Sequence, residues 1–271
     1  MARKVYLVGA GPGDPELLTR KAWRVLQSAD VILHDDLVSQ EILRALPPAA
    51  QAVNVGKRCG AKSVSQDEIN ALMVQLAREG KIVARLKSGD PLLFGRAGEE
   101  MEALRRAGIE FEVIPGVTAA LGAAASAQIS LTDRRHASRV VFVTAHREGG
   151  TGLTNERHVS GDTTYVIYMP GSRYPELAAE LQAAGIGAEI PCVVISRATT
   201  SEESILHTTV AQLPECPKAA SPSLIIVGIV AAAVNDADAQ SRQVSSRLND
   251  EILQLALQHP YFGNHGGSGV E

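Results

Sequence analysis

Three segments rich in glycine and other small residues could bring backbone close to a ligand. They span residues 9–14 (GAGPGD), 86–96 (LKSGDPLLFGR) and 114–120 (IPGVTAA), and each follows or ends a short apolar run that is typical of a buried strand. Loops at the carboxyl ends of neighbouring strands can form one crevice. We call these segments loop 1, loop 2 and loop 3 in chain order. We expect them to line a common binding site.

Loop 1 disfavours a phosphate-bearing ligand. It fails the G-x-G-x-x-G pattern because Asp14 stands where the third glycine belongs, and Pro12 has no N–H to offer. We predict that Asp14 caps a helix beginning at Pro15, so that a carboxylate occupies the positive helix end where a pyrophosphate would bind. No G-x-x-x-x-G-K-[ST] motif occurs either. A neutral or cationic ligand with an adenosine moiety, such as S-adenosylmethionine, fits better than NAD or ATP; a simple tight turn capped by Asp14 is the alternative.

Composition narrows the class of protein further. The 271 residues carry 26 Lys and Arg against 30 Asp and Glu, a net charge of −4, which argues against a dedicated nucleic-acid binder. Cys59, Cys192 and Cys216 are too far apart for a disulfide framework or a zinc site, which favours reduced thiols in the cytoplasm. The longest apolar run, 224–234, is much shorter than the ~20 residues of a membrane span. We expect a soluble cytoplasmic protein without metal, nucleic-acid or membrane partners.

Alternating strands and helices must position these loops. Apolar runs near 5–8, 31–33, 52–55, 82–86 and 111–114 alternate with helical patterns, which predicts a mostly parallel sheet with helices on both faces. After a predicted helix at 118–127, one helix at 175–184 accompanies predicted strands at 140–144, 164–168, 191–196, 204–209 and 224–227. We therefore predict an α/β fold with a second, mixed sheet and three parts: domains at 1–115 and 116–235, and a peripheral helix with a flexible tail at 236–271.

The loops and three further segments resemble the tetrapyrrole (precorrin) methylase family. The further segments are 30–38 (DVILHDDLV), 56–58 (GKR) and 168–169 (YM), and the resemblance extends from about Val5 to Val230. It implies a homodimer of two-domain subunits with S-adenosylmethionine in the cleft between the domains. It is strongest to members that methylate uroporphyrinogen III at two pyrrole α-carbons, C2 and C7. Those members give precorrin-2 via precorrin-1 and release S-adenosyl-L-homocysteine.

The resemblance also implies roles for individual residues. Asp35 matches the family's proposed proton acceptor, Lys57 its proposed proton donor and Arg96 an arginine implicated in substrate handling. A pyrrole that attacks through its α-carbon acidifies its N–H, so a nearby carboxylate can take the proton. Without the resemblance, Asp35 could be a helix cap or turn residue, and Met169 could be core filler. The implied cofactor contacts are Pro12, Ser88, Gly89, Asp90, Leu93, Thr118, Ala119, Met169 and Ala198.

The substrate implied by the resemblance is a polycarboxylate, which requires a basic pocket. Arginine suits carboxylates because its planar fork can bind them bidentately. Each candidate could instead be a solvated surface charge, and the alternatives for the whole chain are a methylase of a later precorrin, a nucleotide-dependent oxidoreductase and a non-catalytic ligand-binding protein. Whether the product enters the sirohaem, cobalamin or haem d1 pathway is left open. The candidate cations are Lys57, Arg58, Lys87, Arg96, Arg134, Arg135, His136 and Arg139.

Overall fold

A parallel sheet forms the first half of the chain. The computed structural model describes residues 4–56, 64–145 and 161–232, and these form one compact unit. The strands of the first sheet lie in the order β3-β2-β4-β1-β5, and every neighbouring pair is parallel. They are β1 (Val5–Gly9), β2 (Val31–His34), β3 (Gln51–Asn54), β4 (Val83–Lys87) and β5 (Phe111–Ile114).

Among the described residues, four helices cover the two faces of this sheet, as the sequence predicts. They are α1 (Arg20–Ser28), α2 (Gln40–Arg44), α3 (Gln66–Arg78) and α4 (Ala97–Arg106). Leu7 of β1 packs in one apolar cluster with Met73 and Leu104, whereas its neighbour Val8 packs in another with Leu26. Successive side chains of a strand point to opposite faces, so helices on both sides bury the whole strand. This explains the continuous apolar sequence of the central strand β1.

The predicted start of the first helix is wrong. Asp14 does cap a local turn, because its Oδ1 accepts the N–H of Glu16 at 2.8 Å. That turn is a 3₁₀ turn at Pro15–Leu17, and α1 begins only at Arg20, with Thr19 as its N-cap. An aspartate followed by a proline can start a 3₁₀ turn or an α-helix. Here the extended backbone at Leu18 and Thr19 separates the 3₁₀ turn from α1. The Asp14 carboxylate therefore does not block the N-terminus of α1.

The second half of the described chain contains the predicted mixed sheet. Its strand order is β6-β7-β10-β8-β9, in which β6 and β7 are parallel and the other pairs are antiparallel. Helices α5 (Ala119–Ser126) and α6 (Tyr174–Ala183) pack on its opposite faces. The strands are β6 (Arg139–Thr144), β7 (Thr163–Tyr168), β8 (Pro191–Ser196), β9 (Ser204–Thr209) and β10 (Ser223–Val227).

The domain boundaries expected from the sequence remain proposals. The one at residue 115 falls between β5 and α5, and the one at residue 235 lies outside the described residues, as does the predicted peripheral helix and tail. Across the three described ranges, no helix is both long and apolar enough to cross a membrane.

Candidate active site

The three loops follow β1, β4 and β5, whose carboxyl ends lie side by side in the parallel sheet, and β2 ends at the same side. In the register of the first sheet, Gly9 at the end of β1 lies opposite Lys87 of β4, and His34 of β2 lies opposite Leu86. Loops 1 and 2 are joined by two backbone hydrogen bonds, Gly11 N–H to Gly89 O at 3.1 Å and Gly89 N–H to Gly11 O at 2.8 Å. Loops 1 and 2 therefore form one continuous rim at the carboxyl ends of the parallel strands.

Glycine is required where these loops touch. A Cβ added to Gly9 would lie 2.5 Å from the amide nitrogen of Gly116 in loop 3, and one on Gly116 would lie 2.4 Å from the carbonyl oxygen of Gly89. Backbone atoms cannot move away from such contacts cheaply, so only glycine permits this approach. Asp90 completes the rim, because its carboxylate accepts the N–H groups of Leu92 at 2.8 Å and Gly116 at 3.0 Å.

A cavity of about 770 Å³ lies against this rim, and the second sheet supplies its other wall. The structure brings Asp35 and all nine residues expected to contact the cofactor onto the wall of this cavity. From loops 1 and 2 come Pro12, Ser88, Gly89, Asp90 and Leu93; from loop 3 and β7–β8 come Thr118, Ala119, Met169 and Ala198.

Sequence reasoning missed one whole segment of this wall, residues 218–224. It leads into β10 and includes the first two residues of that strand, which is antiparallel to both of its neighbours. Leu224 lies opposite Tyr168 at the end of β7, and Ser223 lies opposite Ser196 at the end of β8. The amino end of β10 therefore reaches the same edge as the carboxyl ends of β7 and β8. A prediction that the apolar run at 224–227 pairs antiparallel with its neighbouring strands would have placed residues 218–224 at the cavity.

Tyr168 joins loop 3 to the second sheet. Its hydroxyl shares a 2.6 Å hydrogen bond with Thr118 Oγ1 and accepts the N–H of Ala120 at 3.1 Å. Its ring lies 4.9 Å from that of Phe94 in loop 2, centroid to centroid. Burial raises the pKa of the Tyr168 phenol above its usual value of 10, so the hydroxyl stays protonated at neutral pH. Tyr168 thus fixes one side of the cavity.

Strained backbone is concentrated around the same cavity. Phe94 and Met169 have φ values of 55° and 53°, and Arg197 and Thr199, on either side of Ala198, have 47° and 65°. Non-glycine residues in the left-handed region cost about 1–3 kcal/mol each and persist where the surroundings enforce them. The side chain of Met169 is 45% exposed, so Met169 is not core filler. Together with Phe94 it offers apolar surface to a ligand.

Asp35 lies at the end of β2 with a charged group behind it. Its Oδ1 accepts a hydrogen bond from the guanidinium of Arg85, and its Oδ2 lies 4.0 Å from Lys87 Nζ. Lys87 was a candidate for binding substrate carboxylates, but it is 3% exposed and donates to Glu100 Oε1 at 2.9 Å. Burial, together with repulsion from Arg85, lowers the pKa of Lys87 below its usual 10.5. The Lys87 ammonium is therefore held by Glu100 inside the protein and does not face a substrate carboxylate.

The remaining predicted cations that the structure describes do not line the cavity. Arg96 is the N-cap residue of α4 and forms a bidentate pair with Glu99, with both distances 2.7 Å, which raises the pKa of the arginine. Its neighbour Gly95 lines the cavity, whereas Arg96 does not. Arg135 and Arg139 pair with the carboxylates of Asp133 and Asp162 respectively. Lys57 and Arg58 lie outside the described residues.

The fold and cavity define a two-sheet α/β protein with a cavity of small-molecule size beyond the carboxyl ends of its parallel strands. The sequence matches the family described as Tetrapyrrole (Corrin/Porphyrin) Methylases over residues 4–214. The chain therefore belongs to the tetrapyrrole methylase family. In the described ranges, no three His, Cys, Asp or Glu side chains are grouped so that they could hold a metal ion.

Similar proteins agree with this family. The chain is 47% identical over 239 residues to Uroporphyrinogen-III C-methyltransferase of Paracoccus denitrificans, covering 86% of this chain and 83% of the relative. It is 46% identical over 229 residues to Siroheme synthase 1 of Yersinia enterocolitica, covering 84% of this chain and 48% of that relative, so it spans about half of such a synthase.

A solved structure shows the same fold with a ligand. It is Uroporphyrin-III C-methyl transferase from Thermus thermophilus complexed with S-adenyl homocysteine. The TM-score is 0.73 at 39% sequence identity, and the match covers 84% of this chain and 98% of that one.

Proposed function

We propose that this protein is an S-adenosylmethionine-dependent C-methyltransferase that converts uroporphyrinogen III to precorrin-2 through precorrin-1. One observation carries the proposal: Asp35 and the nine residues expected to contact the cofactor line a single cavity. The 47% identical relative bears the name of this activity, and the 39% identical structure is complexed with S-adenyl homocysteine, the demethylated form of the cofactor.

The cavity fits this cofactor better than a dinucleotide. Its volume is in the range of small-molecule sites, about 300–1,000 Å³. The described wall carries two carboxylates, Asp35 and Asp90, and one cation, Lys218, so its charge suits a sulfonium more than a pyrophosphate. The Asp14 carboxylate does not block the N-terminus of α1, so it gives no argument against a phosphate. Pro12 still does, because it has no N–H to donate to one. When bound, S-adenosylmethionine supplies a methyl group on a positively charged sulfur.

The residues of this chain would orient the reactants and take a proton. The rim formed by loops 1, 2 and 3 would hold the methyl donor, and holding the pyrrole carbon in line with it supplies much of the acceleration. Asp35 would accept the pyrrole N–H proton, because its Oδ2 accepts no hydrogen bond in the described part of the chain. Lys57 as proton donor and Arg96 as a substrate contact stay part of this proposal.

A polyanionic substrate requires cations near the cavity. Lys218 lines the wall, is exposed, and has no carboxylate partner among the described residues. We include Lys218 as a group that can bind a substrate carboxylate. Arg96, which is close to the wall through Gly95, would have to exchange its pairing with Glu99 to do the same.

A labelling experiment tests the proposed reaction. Purified protein is incubated anaerobically with enzymatically made uroporphyrinogen III and methyl-labelled S-adenosylmethionine. We expect two labels per tetrapyrrole, with one label as a transient state. Labelling of a later precorrin instead would place the protein elsewhere in the family. Reduction of NAD by a hydroxy substrate, without label transfer, would support an oxidoreductase.

We further propose that the protein is a cytoplasmic homodimer. The family resemblance supports the dimer, and the wide spacing of the cysteines supports a reducing compartment. Light scattering on the purified chain should give about twice its 28.6 kDa mass. A mass of one chain would contradict the dimer without affecting the proposed reaction.

A further inference from the structure

A chain of buried charges lies directly behind Asp35. Arg85 and Lys87 are two residues apart on β4, so they point to the same face of the sheet. Glu100 of α4 packs over that face. Arg85, Lys87 and Glu100 are 2%, 3% and 0% exposed, whereas the side chain of Asp35 is 28% exposed and lines the cavity. Asp35 is therefore where this buried cluster reaches the cavity.

The guanidinium of Arg85 is fixed on several sides. Its Nε donates to Glu100 Oε1 at 3.0 Å, and its Nη1 donates to the carbonyl oxygen of Leu33 at 3.3 Å. Its Nη2 donates to Asp35 Oδ1. Glu100 Oε1 also accepts Lys87 Nζ at 2.9 Å and Gln66 Nε2 at 3.3 Å. An arginine held in this way has one orientation, and it presents one fixed donor to Asp35.

Stability alone does not account for such a cluster. Buried ion pairs lose about as much in desolvation as they gain in attraction, and apolar residues of the same volume are often at least as stable. What the cluster does supply is a defined carboxylate. Arg85 occupies Oδ1 of Asp35, which leaves Oδ2 as the oxygen that accepts no hydrogen bond within the described ranges.

We propose that Arg85 is a positioning residue for Asp35, anchored by Glu100, and that it turns Oδ2 of Asp35 toward the substrate N–H. This inference rests on the proposed function, in which Asp35 accepts the pyrrole proton. It assigns roles to two buried residues that do not line the cavity. Arg85 acts through Asp35 and does not touch the reacting atoms.

A double-mutant cycle tests the coupling. Arg85→Lys keeps the charge but loses the fork that reaches both carboxylates, so we expect kcat to fall by about 10- to 100-fold while the Kd for S-adenosylmethionine changes by less than about twofold. Asp35→Asn keeps the shape and can still accept from Arg85. In the Asp35→Asn background, Arg85→Lys should cost less than about twofold more. Fully additive losses, or an equal loss of cofactor affinity, would overturn the proposal.

Two further variants, and thermal unfolding of every variant, show whether a loss of kcat comes from misfolding. Glu100→Gln keeps the side-chain volume and removes the anchoring charge, so it should show the same non-additivity with Asp35→Asn. Arg106→Lys, at an exposed pair with Glu102 on the same helix, should leave kcat unchanged. Thermal unfolding of each variant shows whether it is folded, and Glu100→Gln decides the outcome if Arg85→Lys does not fold.

A structural measurement separates this proposal from the proposed function. Crystal structures of the wild type and of Arg85→Lys or Glu100→Gln should show the Asp35 carboxylate rotated in the variant, whatever substrate the enzyme accepts. If the wild type transfers no methyl group to any tetrapyrrole, the proposed function fails and the carboxylate orientation still tests the positioning. An unchanged Asp35 carboxylate in a folded variant would contradict the role of Arg85.

Discussion

Asp35 is the residue on which the proposed chemistry depends. Asp35→Asn retains the volume and an acceptor for Arg85 but cannot take up a proton at the amide. We expect kcat to fall by roughly 10²–10⁴-fold, the range for loss of a general base, with little change in the Kd for S-adenosylmethionine. Steady-state methyl transfer under anaerobic conditions gives the first quantity, and titration calorimetry gives the second.

The neighbouring carboxylate is a matched control for that substitution. Asp36 accepts a hydrogen bond from Asn54 Nδ2 at 2.6 Å and is not part of the cavity wall. Asp36→Asn should therefore keep kcat near that of the wild type. If both substitutions reduced kcat equally, Asp35 would be a helix cap or turn residue, the alternative that the sequence allows.

Tyr168 offers a second prediction for a single side chain. Tyr168→Phe removes the hydroxyl that accepts the buried Ala120 N–H and bonds Thr118. An unsatisfied buried donor costs about 1–3 kcal/mol, so the free energy of unfolding should decrease by that amount. Cofactor affinity should also decrease, because Thr118 and Ala119 line the cavity. Urea unfolding and calorimetry measure the two effects; unchanged affinity would mean that Tyr168 only stabilises the fold.

At the scale of elements, local signals predicted most of the fold. Ser65 and Glu68 fit the S-x-x-E pattern that predicts a capping box, and in the structure they form one at the start of α3. The prediction failed at Pro15, where the local signal is the same for a 3₁₀ turn and for an α-helix. Only the packing of the following residues separates these outcomes, and that packing depends on contacts distant in sequence.

Prediction of the site from the sequence is also limited by contacts between residues that are distant in the chain. Loops 1, 2 and 3 could be placed together because parallel strands align their carboxyl ends at one edge. The segment 218–224 could not, because its position depends on β10 running antiparallel to β7 and β8, a pairing between strands far apart in the chain. Arg85 was missed for a related reason: a charged residue within an apolar strand has no local partner, and its partner Glu100 lies on another element.

The contact between α5 and loop 1 gives a prediction at this scale. A Cβ on Gly122 would lie 2.6 Å from Pro12 Cβ, so α5 approaches the cavity wall closely there. Gly122→Ala should displace Pro12 and overpack the contact, lowering the free energy of unfolding by about 1–3 kcal/mol and weakening cofactor binding. Urea unfolding and titration calorimetry measure these changes.

Gly98 is the matched control for Gly122. It also lies within a helix, α4, but a Cβ there would meet nothing within 4 Å. Gly98→Ala should raise the free energy of unfolding by about 0.5–1 kcal/mol, the difference in helix propensity, and leave cofactor affinity unchanged. If Gly122→Ala behaved in the same way, the close contact with loop 1 would not support the cavity.

For the whole molecule, the important feature is that both sheets contribute to one cavity. The parallel sheet supplies Pro12, Ser88 and Asp35, and the mixed sheet supplies Met169 and Ala198. A ligand bound there contacts residues that are far apart in the chain and that come together only in the folded state. Binding should therefore stabilise the described unit against unfolding, and the ligand that does so identifies the class of cofactor.

The free energy of unfolding should respond to S-adenosylmethionine and not to NAD. At 100 times its Kd, a ligand that binds only the folded state adds about 2.7 kcal/mol. We expect this increase for S-adenosylmethionine and S-adenosylhomocysteine in urea unfolding at 25 °C, and none for NAD at the same concentration. Gly122→Ala should show a smaller increase at equal ligand concentration, because displacement of Pro12 weakens the site, whereas Gly98→Ala should match the wild type. Stabilisation by NAD instead would mean that loop 1 accepts a pyrophosphate despite Pro12, and the assignment of the cavity to a methyl donor would be wrong.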